Sequence, residues 1–515
     1  MIYRGHVPWN LLTPFPDPEP DPAGDAAVAL AREVLGRHVD PVAGGLPDDL
    51  LPALLDAGLL TLMITPELGG GGLSWAAACR VVEEAARWSM AAAYAIAINN
   101  GFGSGVYLTA LPPGPLRELI AGRVAAGLFS GGADAEPTGT ANQTRTTIAV
   151  RVDDAYELTG TKVFIGNAPV AGLMDVSATL DGEVRLFFAD TAAPGFEVVH
   201  THEFMGLHGA RIGMIRLDRV RVPAGALMPE LSDGWRMRPD GTAEPGVPDP
   251  ATDLGLLALL GRHLVISGPS LATARAALGW QREFAARRHI DGRPLATYPE
   301  VARQVTETEA DGHLIESVHL WCVHDGRTDR RPDLEAAKNV MSRAAWRAVD
   351  DTLSMLGGEG YETAASKSAR GAVPSPVERA FRDARGLRVA GGVDTMLDKW
   401  SAEAALRDWS PAAPWPAAPP GGSGSADMRR VDADAARLAG YCARRPGGQR
   451  TRILLGRIAG ELFGQAVTLA RDPGHRLART VCARSRYRLA ALFAELDDTD
   501  FDTDFGTDFD TEEIA

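Results

Sequence analysis

The feature that most constrains the fold is the hydrophobic periodicity, which changes twice along the chain. Residues 25–127 carry apolar side chains at the three- and four-residue spacing of amphipathic helices. Residues 128–230 instead form short segments rich in β-branched side chains and separated by Gly and Asp, a pattern typical of antiparallel strands. Helical spacing returns over residues 254–409. Because helices and strands are segregated, we predict an α+β fold, mainly α, with an N-terminal helical domain, a middle antiparallel β domain and C-terminal helices.

The C-terminal helical domain is predicted to be a four-helix bundle. Its candidate helices cover residues 254–287, 299–324, 332–356 and 376–408, and the last is interrupted at Gly391–Gly392. The other segments are an extended lead-in (1–24), a polar insertion (231–253), a Pro- and Gly-rich linker (410–425), an extra helical module (426–496) and an acidic tail (497–515). The tail repeats Thr-Asp-Phe three times, which indicates either a solvated disordered tail or a docking peptide.

The composition limits the class of protein. The net charge of −15 over 515 residues argues against a nucleic-acid partner, because phosphate binding needs clustered Lys and Arg. The four cysteines form no CxxC pair, so no metal or redox motif is indicated and a reducing compartment is favoured. The N-terminus lacks a signal-peptide pattern, and no apolar run reaches the roughly 18 residues of a membrane span. We therefore expect a cytoplasmic protein with no membrane span and no metal site.

A series of local motifs follows this framework in order along the chain. They are 58–70 (GLLTLMITPELGG), 135–137 (AEP), 158–167 (LTGTKVFIGN), 205–210 (MGLHGA), 220–223 (VRVP), 288–295 (RHIDGRPL), 356–361 (LGGEGY) and 377–385 (VERAFRDAR). Each motif is weak alone, but their order and spacing resemble the acyl-CoA dehydrogenase family over about residues 25–408. The extra helical module resembles the extension of the very-long-chain branch of that family.

The resemblance implies an FAD cofactor that is shared between subunits, and hence a homodimer or a homotetramer. Arg288, or Arg287 if the alignment gap falls differently, would pair with the pyrophosphate of FAD. The Gly357–Gly358 turn would let backbone N–H groups approach the cofactor closely. Ser354 stands where the family usually has Gln near the adenosine.

The β-domain half of the implied flavin site departs from the family pattern. Phe164 replaces a Trp beside the flavin ring and keeps an aromatic shield. Ala135, Ala141 and Gly166 each replace a residue whose hydroxyl contacts the flavin in the family. Since a lost hydrogen bond costs about 0.5–1.5 kcal/mol, these changes are expected to weaken FAD binding without abolishing it.

The glutamate base implied by the resemblance is missing at both positions where the family supplies it. Alignment through the RDAR motif places Gly391 at the usual glutamate. The second position, which precedes a recurrent Arg that corresponds to Arg262, is Gly261. Three side chains are considered as replacements, because a base must lie within hydrogen-bond reach of the α-proton. They are Asp394, Glu359 and His208.

Several functions remain open at this stage. The first is oxidation of an acyl thioester, carried by CoA or by a carrier protein, through an unrecognised base or on a substrate already acidic at Cα. The second is a flavin-dependent monooxygenase, in which no α-proton needs to leave. The third is a non-catalytic subunit that pairs with an active paralogue. The fourth is non-redox chemistry on a carrier-bound acyl group.

Overall fold

The computed structural model describes residues 2–108, 111–138, 145–229, 254–323, 331–407, 425–444 and 448–498. Predictions that concern Ala141, the insertion at 231–253, the linker up to residue 424 and the repeats of the tail lie outside these residues. The described chain forms an N-terminal group of helices, a seven-stranded sheet and C-terminal helices, as the periodicity predicts.

The N-terminal helices are α1 (Trp9–Leu12), α2 (Pro22–His38), α3 (Leu50–Asp56), α4 (Trp75–Trp88), α5 (Met90–Gly101) and α6 (Pro115–Ala125). Capping side chains start three of them. Asp21, Ser74 and Ser89 each accept a backbone N–H three residues ahead, which satisfies one unpaired donor at the start of α2, α4 and α5.

The lead-in is not simply extended, contrary to the sequence prediction. It contains a 3-10 turn at Ile2–Arg4 and helix α1, and α2 already begins at Pro22. The physical reason is a distant partner: the backbone N–H of Val7 and the indole N–H of Trp9 both donate to the carboxylate of Asp432 in the extra module. A partly buried hydrogen-bonded contact of this kind orders a segment whose own sequence has no strong helical pattern.

The sheet is mainly antiparallel, with one correction to the prediction. Its strands are β1 (Phe129–Ala133), β2 (Ile148–Val152), β3 (Ala155–Gly166), β4 (Ala171–Leu180), β5 (Glu183–Asp190), β6 (Phe196–Thr201) and β7 (Ile212–Pro223). The order is β1-β4-β2-β3-β7-β6, and β5 pairs with β4. Strand β1 runs parallel to β4, and β2 meets β4 in one parallel bridge. Parallel neighbours arise here because long connections, rather than hairpin turns, link these strands.

The C-terminal helices surround one long helix. They are α7 (Leu254–Arg287), α8 (Pro299–Val323), α9 (Arg331–Leu356), α10 (Gly358–Tyr361), α11 (Ala364–Ala369), α12 (Val377–Leu387) and α13 (Asp394–Arg407). A short hairpin of β8 (His289–Ile290) and β9 (Arg293–Pro294) follows α7. Helix α7 packs against α4, α5, α8 and α9, so it joins the N-terminal and C-terminal groups of helices.

The extra module consists of α14 (Ala426–Ala443), α15 (Gln449–Arg471) and α16 (Arg476–Asp497). Helix α15 lies at its centre and also packs against α8, α9 and α13. Among the described helices α15 alone is long and apolar enough to cross a membrane by length and composition, and 78% of that apolar stretch is buried inside the protein. Its apolar character is therefore explained by packing between two groups of helices.

Candidate active site

An aromatic shelf lies at the end of β3. Phe164 adopts the left-handed conformation, with φ of 57°, and its side chain is 63% exposed. Its ring stacks on that of His202, with 4.7 Å between centroids and 28° between planes. Burial, and then the neighbouring His200, lower the pKa of His202, so the shelf is uncharged near neutral pH. The shelf is thus a flat, neutral surface open to a ligand.

A buried ion pair fixes the segment that precedes this shelf. Lys162 Nζ lies 2.8 Å from Glu136 Oε1, and both side chains are almost fully buried. Burial raises the pKa of Glu136, but hydrogen bonds from Lys162, Thr146 and Thr147 outweigh it and lower the pKa to about 2. The pairing of these two motifs was not predicted, although a lysine inside the apolar pattern of β3 was a signal for a buried charge.

Ala135 is held by a backbone hydrogen bond, and Gly166 packs closely against the side chain of Ile98. The carbonyl of Ala135 accepts the N–H of Val163 at 3.0 Å. A Cβ atom on Gly166 would lie 2.6 Å from Cδ1 of Ile98 in α5. Ile98 therefore occupies the space where the hydroxyl-bearing side chain of the family pattern would begin.

Both predicted base positions meet at one short stretch of α7. A Cβ atom on Gly261 would collide with the backbone carbonyl of Gly101, because α5 and α7 cross there in close contact. Gly391 has a φ of 69°, and its Cβ would lie 2.8 Å from Cγ of Arg262. Neither position has room for an acidic side chain without movement of its neighbours.

Cationic groups gather beside Gly391. Burial lowers the pKa of the half-buried Arg262 guanidinium, and Glu335 opposes that shift. Lys338 of α9 donates from Nζ to the carbonyl oxygens of Arg388 (2.9 Å) and Gly392 (2.7 Å). Burial lowers the pKa of Lys338 to about 7, against the opposing charge of Asp394. Lys338 was not among the predicted site residues, although a lysine on the apolar face of a core helix was a signal for it.

The three candidate replacement bases each have a cationic partner. Asp394 accepts from Arg388 Nε at 3.0 Å and from Arg343 Nε at 3.4 Å, and although burial raises its pKa these arginines lower it overall. His208 Nε2 accepts from Arg382 Nη1 at 2.9 Å. A carboxylate held by two guanidinium groups is a weak base, so Asp394 fits a structural role better than proton abstraction.

The end of α7 and the turn after α9 lie side by side. Arg287 forms ion pairs with Glu283 and with Glu359. Glu359, the third candidate base, is therefore already paired with a guanidinium group. Gly357 has a φ of 59°, and a Cβ atom on it or on Gly358 would meet nothing within 4 Å.

Arg288 and Ser354 are exposed on these same two segments. Among the described residues, the Arg288 side chain has no hydrogen-bonding or ionic partner. The predicted pyrophosphate-binding groups thus form one open surface.

Two further motifs join the sheet to the C-terminal helices. The N–H of Leu207 donates to Asp383 Oδ1 at 2.7 Å, and Arg382 Nη1 donates to the carbonyl of Met205 at 2.8 Å. A Cβ atom on Gly206 would lie 2.7 Å from the backbone of Arg382, so only glycine allows this approach. These contacts fix the β domain against α12.

Family models match three consecutive regions of the chain. The N-terminal domain of acyl-CoA dehydrogenase matches residues 23–110, the middle domain matches 132–220 and the C-terminal domain matches 258–406. The three matches follow the order of the helical, β and helical parts and together cover more than half of the chain. The chain belongs to the acyl-CoA dehydrogenase family.

Curated relatives agree with this assignment. The acyl-CoA dehydrogenase-family chain is 28% identical over 462 residues to the probable acyl-CoA dehydrogenase FadE10 of Mycobacterium tuberculosis, covering 86% of this chain and 67% of that protein. It is also 28% identical over 389 residues to cyclohexane-1-carbonyl-CoA dehydrogenase of Geobacter metallireducens. That match covers 70% of this chain and 92% of the relative.

Solved structures show the same fold. Butyryl-CoA dehydrogenase of Megasphaera elsdenii matches with a TM-score of 0.63 and 21% identity, over 76% of this chain and 100% of that one. An acyl-CoA dehydrogenase of Bacillus anthracis, solved with FAD, matches with a TM-score of 0.73 and 17% identity. That match covers 96% of this chain and 90% of the solved chain. The predicted family and fold class of this acyl-CoA dehydrogenase-family chain are confirmed.

Proposed function

We propose that this acyl-CoA dehydrogenase-family protein binds FAD and oxidises an acyl thioester, carried by CoA or by a carrier protein, without a glutamate base. One observation carries the proposal. Gly261 and Gly391 are the predicted counterparts of both positions where the family supplies its base, and Gly101 and Arg262 close the space beside them. The family fold is kept while the proton-abstracting group is absent from the positions where it is expected.

The described residues fit FAD as a cofactor. The exposed face of Phe164 suits a flat aromatic ring. The open Gly357–Gly358 turn and the exposed guanidinium of Arg288 suit an anionic pyrophosphate. When bound, FAD supplies a hydride acceptor. We further propose that this exposed surface completes the cofactor site of a neighbouring subunit. The protein would then be a homodimer or a homotetramer.

The charges near the base positions favour a particular kind of substrate. Arginine stays protonated and cannot serve as a general base near neutral pH. Arg262 instead places a positive charge beside Gly391, which stabilises negative charge that develops on a bound thioester. We therefore propose a thioester whose α-proton is already acidified by an adjacent electron-withdrawing group, so that solvent water accepts the proton while the β-hydride would pass to FAD.

An absorbance spectrum of the purified protein under argon tests the proposal. We expect a flavin spectrum that is bleached by an α-acidified acyl thioester. A flavin that only an added reductant reduces, and that then consumes oxygen with a substrate, would support a monooxygenase instead. A colourless protein that cannot be reconstituted with FAD and co-purifies with a paralogue would support a non-catalytic subunit.

A further inference from the structure

An open cleft of about 720 Å³ lies on the outer face of the extra module, along α16. Its lining includes six arginines and only two acidic residues, Glu307 and Asp427. The arginines are Arg303, Arg476, Arg479, Arg484, Arg486 and Arg488. This concentration of positive charge contrasts with the net charge of −15 of the whole chain. We call this surface the arginine cleft.

Two of these arginines are available to a partner. Arg484 is paired with Asp311 at 2.7 Å, and Arg488 with Glu461 at 2.8 Å. Arg479 and Arg486 are exposed, and their guanidinium groups form no ion pair or hydrogen bond with any other residue that the structure describes. An exposed guanidinium is a strong donor to carboxylates.

The free arginines share a helix face with apolar surface. Arg479, Ala483 and Arg486 are spaced by four and three residues, which places them along one side of α16. Tyr487 beside them is 83% exposed. The surface therefore combines two exposed cationic groups with one aromatic ring, and it suits a segment that carries both acidic and aromatic side chains.

A segment with this alternation follows α16 directly in the chain. Residues 499–515 contain seven acidic and no basic residues. Thr-Asp-Phe recurs at 499, 503 and 507, so Asp and Phe alternate with a four-residue period. We propose that residues 499–510 bind the arginine cleft of the same chain, with aspartates on Arg479 and Arg486 and phenylalanines on the Tyr487 side.

The length of the segment matches the position of the cleft. Ala483 lies fifteen residues before Asp498, which is roughly 22 Å along a helix that rises about 1.5 Å per residue. An extended chain advances about 3.3 Å per residue, so seven residues returning along α16 bring Phe505 back to the level of Ala483. The short tether also gives the segment a high effective concentration at the cleft, typically about millimolar for short flexible linkers.

Disulfide trapping in the full-length chain tests this binding. Phe505→Cys is combined either with Ala483→Cys in the cleft or with Ala494→Cys, an exposed position nearer to the tail. The four natural cysteines are buried and compete little. A tail without a preferred site closes the shorter loop to Ala494 more readily. Binding in the cleft predicts the reverse order, with faster cross-linking to Ala483 within single chains.

Charge variants make the test specific. Arg479→Glu combined with Arg486→Glu is expected to slow cross-linking to Ala483 about tenfold, because two ion pairs become repulsions. Arg219→Glu with Arg221→Glu makes the same change of charge on exposed residues of β7 and should leave the rate unchanged. Faster cross-linking to Ala494, equal effects of both variant pairs, or products formed only between two chains would each overturn the proposal.

Discussion

Arg287 and Arg288 are neighbours at the end of α7, yet their surroundings differ. Arg287 is held by Glu283 and Glu359 and lies over the ring of Phe284, 5.0 Å from its centroid. The Arg288 side chain is exposed and has no hydrogen-bonding or ionic partner among the described residues. The alignment alone left open which of them faces the cofactor, and the existing ion pairs of Arg287 favour Arg288.

Replacement of Arg288 by Ala is expected to weaken FAD binding by about 1.5–3 kcal/mol, or roughly tenfold to a hundredfold, because a charged hydrogen bond to phosphate is lost. Quenching of FAD fluorescence on titration with protein measures the change. Arg287→Ala serves as the matched control and should change the affinity less than Arg288→Ala. The reverse order of effects would assign the phosphate contact to Arg287.

Asp175 of β4 is a buried carboxyl group with an altered pKa. It is 4% exposed and accepts a hydrogen bond from the Tyr107 hydroxyl at 3.3 Å. Burial raises its pKa from 3.8 to about 8, despite opposing hydrogen bonds. In the folded protein Asp175 is therefore largely protonated at neutral pH, whereas in the unfolded chain it is ionised.

This difference predicts that Asp175 makes folding less favourable as pH rises. The unfolded chain loses the proton near pH 3.8 and the folded chain near pH 8, so stability falls across that window. Asp175→Asn should remove the part of this loss of stability that Asp175 causes. The free energy of unfolding at pH 8 should then rise by about a few kcal/mol. Urea denaturation at pH 5 and pH 8 measures it, with exposed Asp218→Asn as the control. Equal pH dependence in both variants would refute the raised pKa.

The crossing of α5 and α7 determines how closely the N-terminal helices approach the predicted base positions. Gly101 and Gly261 face each other, and a Cβ atom on Gly101 would lie 2.9 Å from Cα of Gly261. Helix α5 contacts β3 through Ile98 one turn earlier. The same helix therefore positions both the aromatic shelf and the closed base site.

Gly261→Ala is expected to destabilise the protein by about 1–3 kcal/mol, because the added methyl group forces two backbones apart. Gly279→Ala lies in the same helix, where an added Cβ meets nothing within 4 Å. That control should stabilise by about 0.5–1 kcal/mol through helix propensity. Thermal denaturation of both variants measures the difference, and a stability gain for Gly261→Ala would show that the helices do not touch.

The apolar spacing predicted the helices closely but not their contacts. Helix α7 has the predicted bounds, and the predicted interruption at Gly391–Gly392 separates α12 from α13. The parallel pairing of β1 with β4, the meeting of Gly101 with Gly261 and the pair of Glu136 with Lys162 join residues far apart in sequence. Local patterns carry information about burial and turns, but they do not specify which distant surfaces pack together.

At the scale of the whole molecule, ion pairs attach the extra module to the C-terminal helices. Arg484 of α16 donates to Asp311 of α8 at 2.7 Å and to the carbonyl of Glu307 at 3.1 Å. Arg347 of α9 donates to the same carboxylate at 2.7 Å. Asp311 is 3% exposed, so its charge depends on both arginines for compensation.

Arg484→Ala is therefore expected to destabilise the protein by about 3 kcal/mol, since it leaves a buried carboxylate with one of its two partners. Arg486→Ala, two residues away but exposed, should change the stability by less than about 0.5 kcal/mol. Urea denaturation followed by circular dichroism compares the two variants. Similar stabilities for both would mean that this network does not hold the module in place.

We have proposed that no carboxylate among the residues that the structure describes removes the α-proton of an ordinary acyl thioester. It is tested most directly by incubating the FAD-loaded protein with a straight-chain acyl-CoA in heavy water. A change in the flavin spectrum first establishes that the thioester binds, and mass spectrometry then measures deuterium at the α-carbon. We predict binding with no more deuterium uptake than in the protein-free control. Rapid uptake of deuterium at the α-carbon would contradict the account, because it would require a base that neither Gly261 nor Gly391 provides.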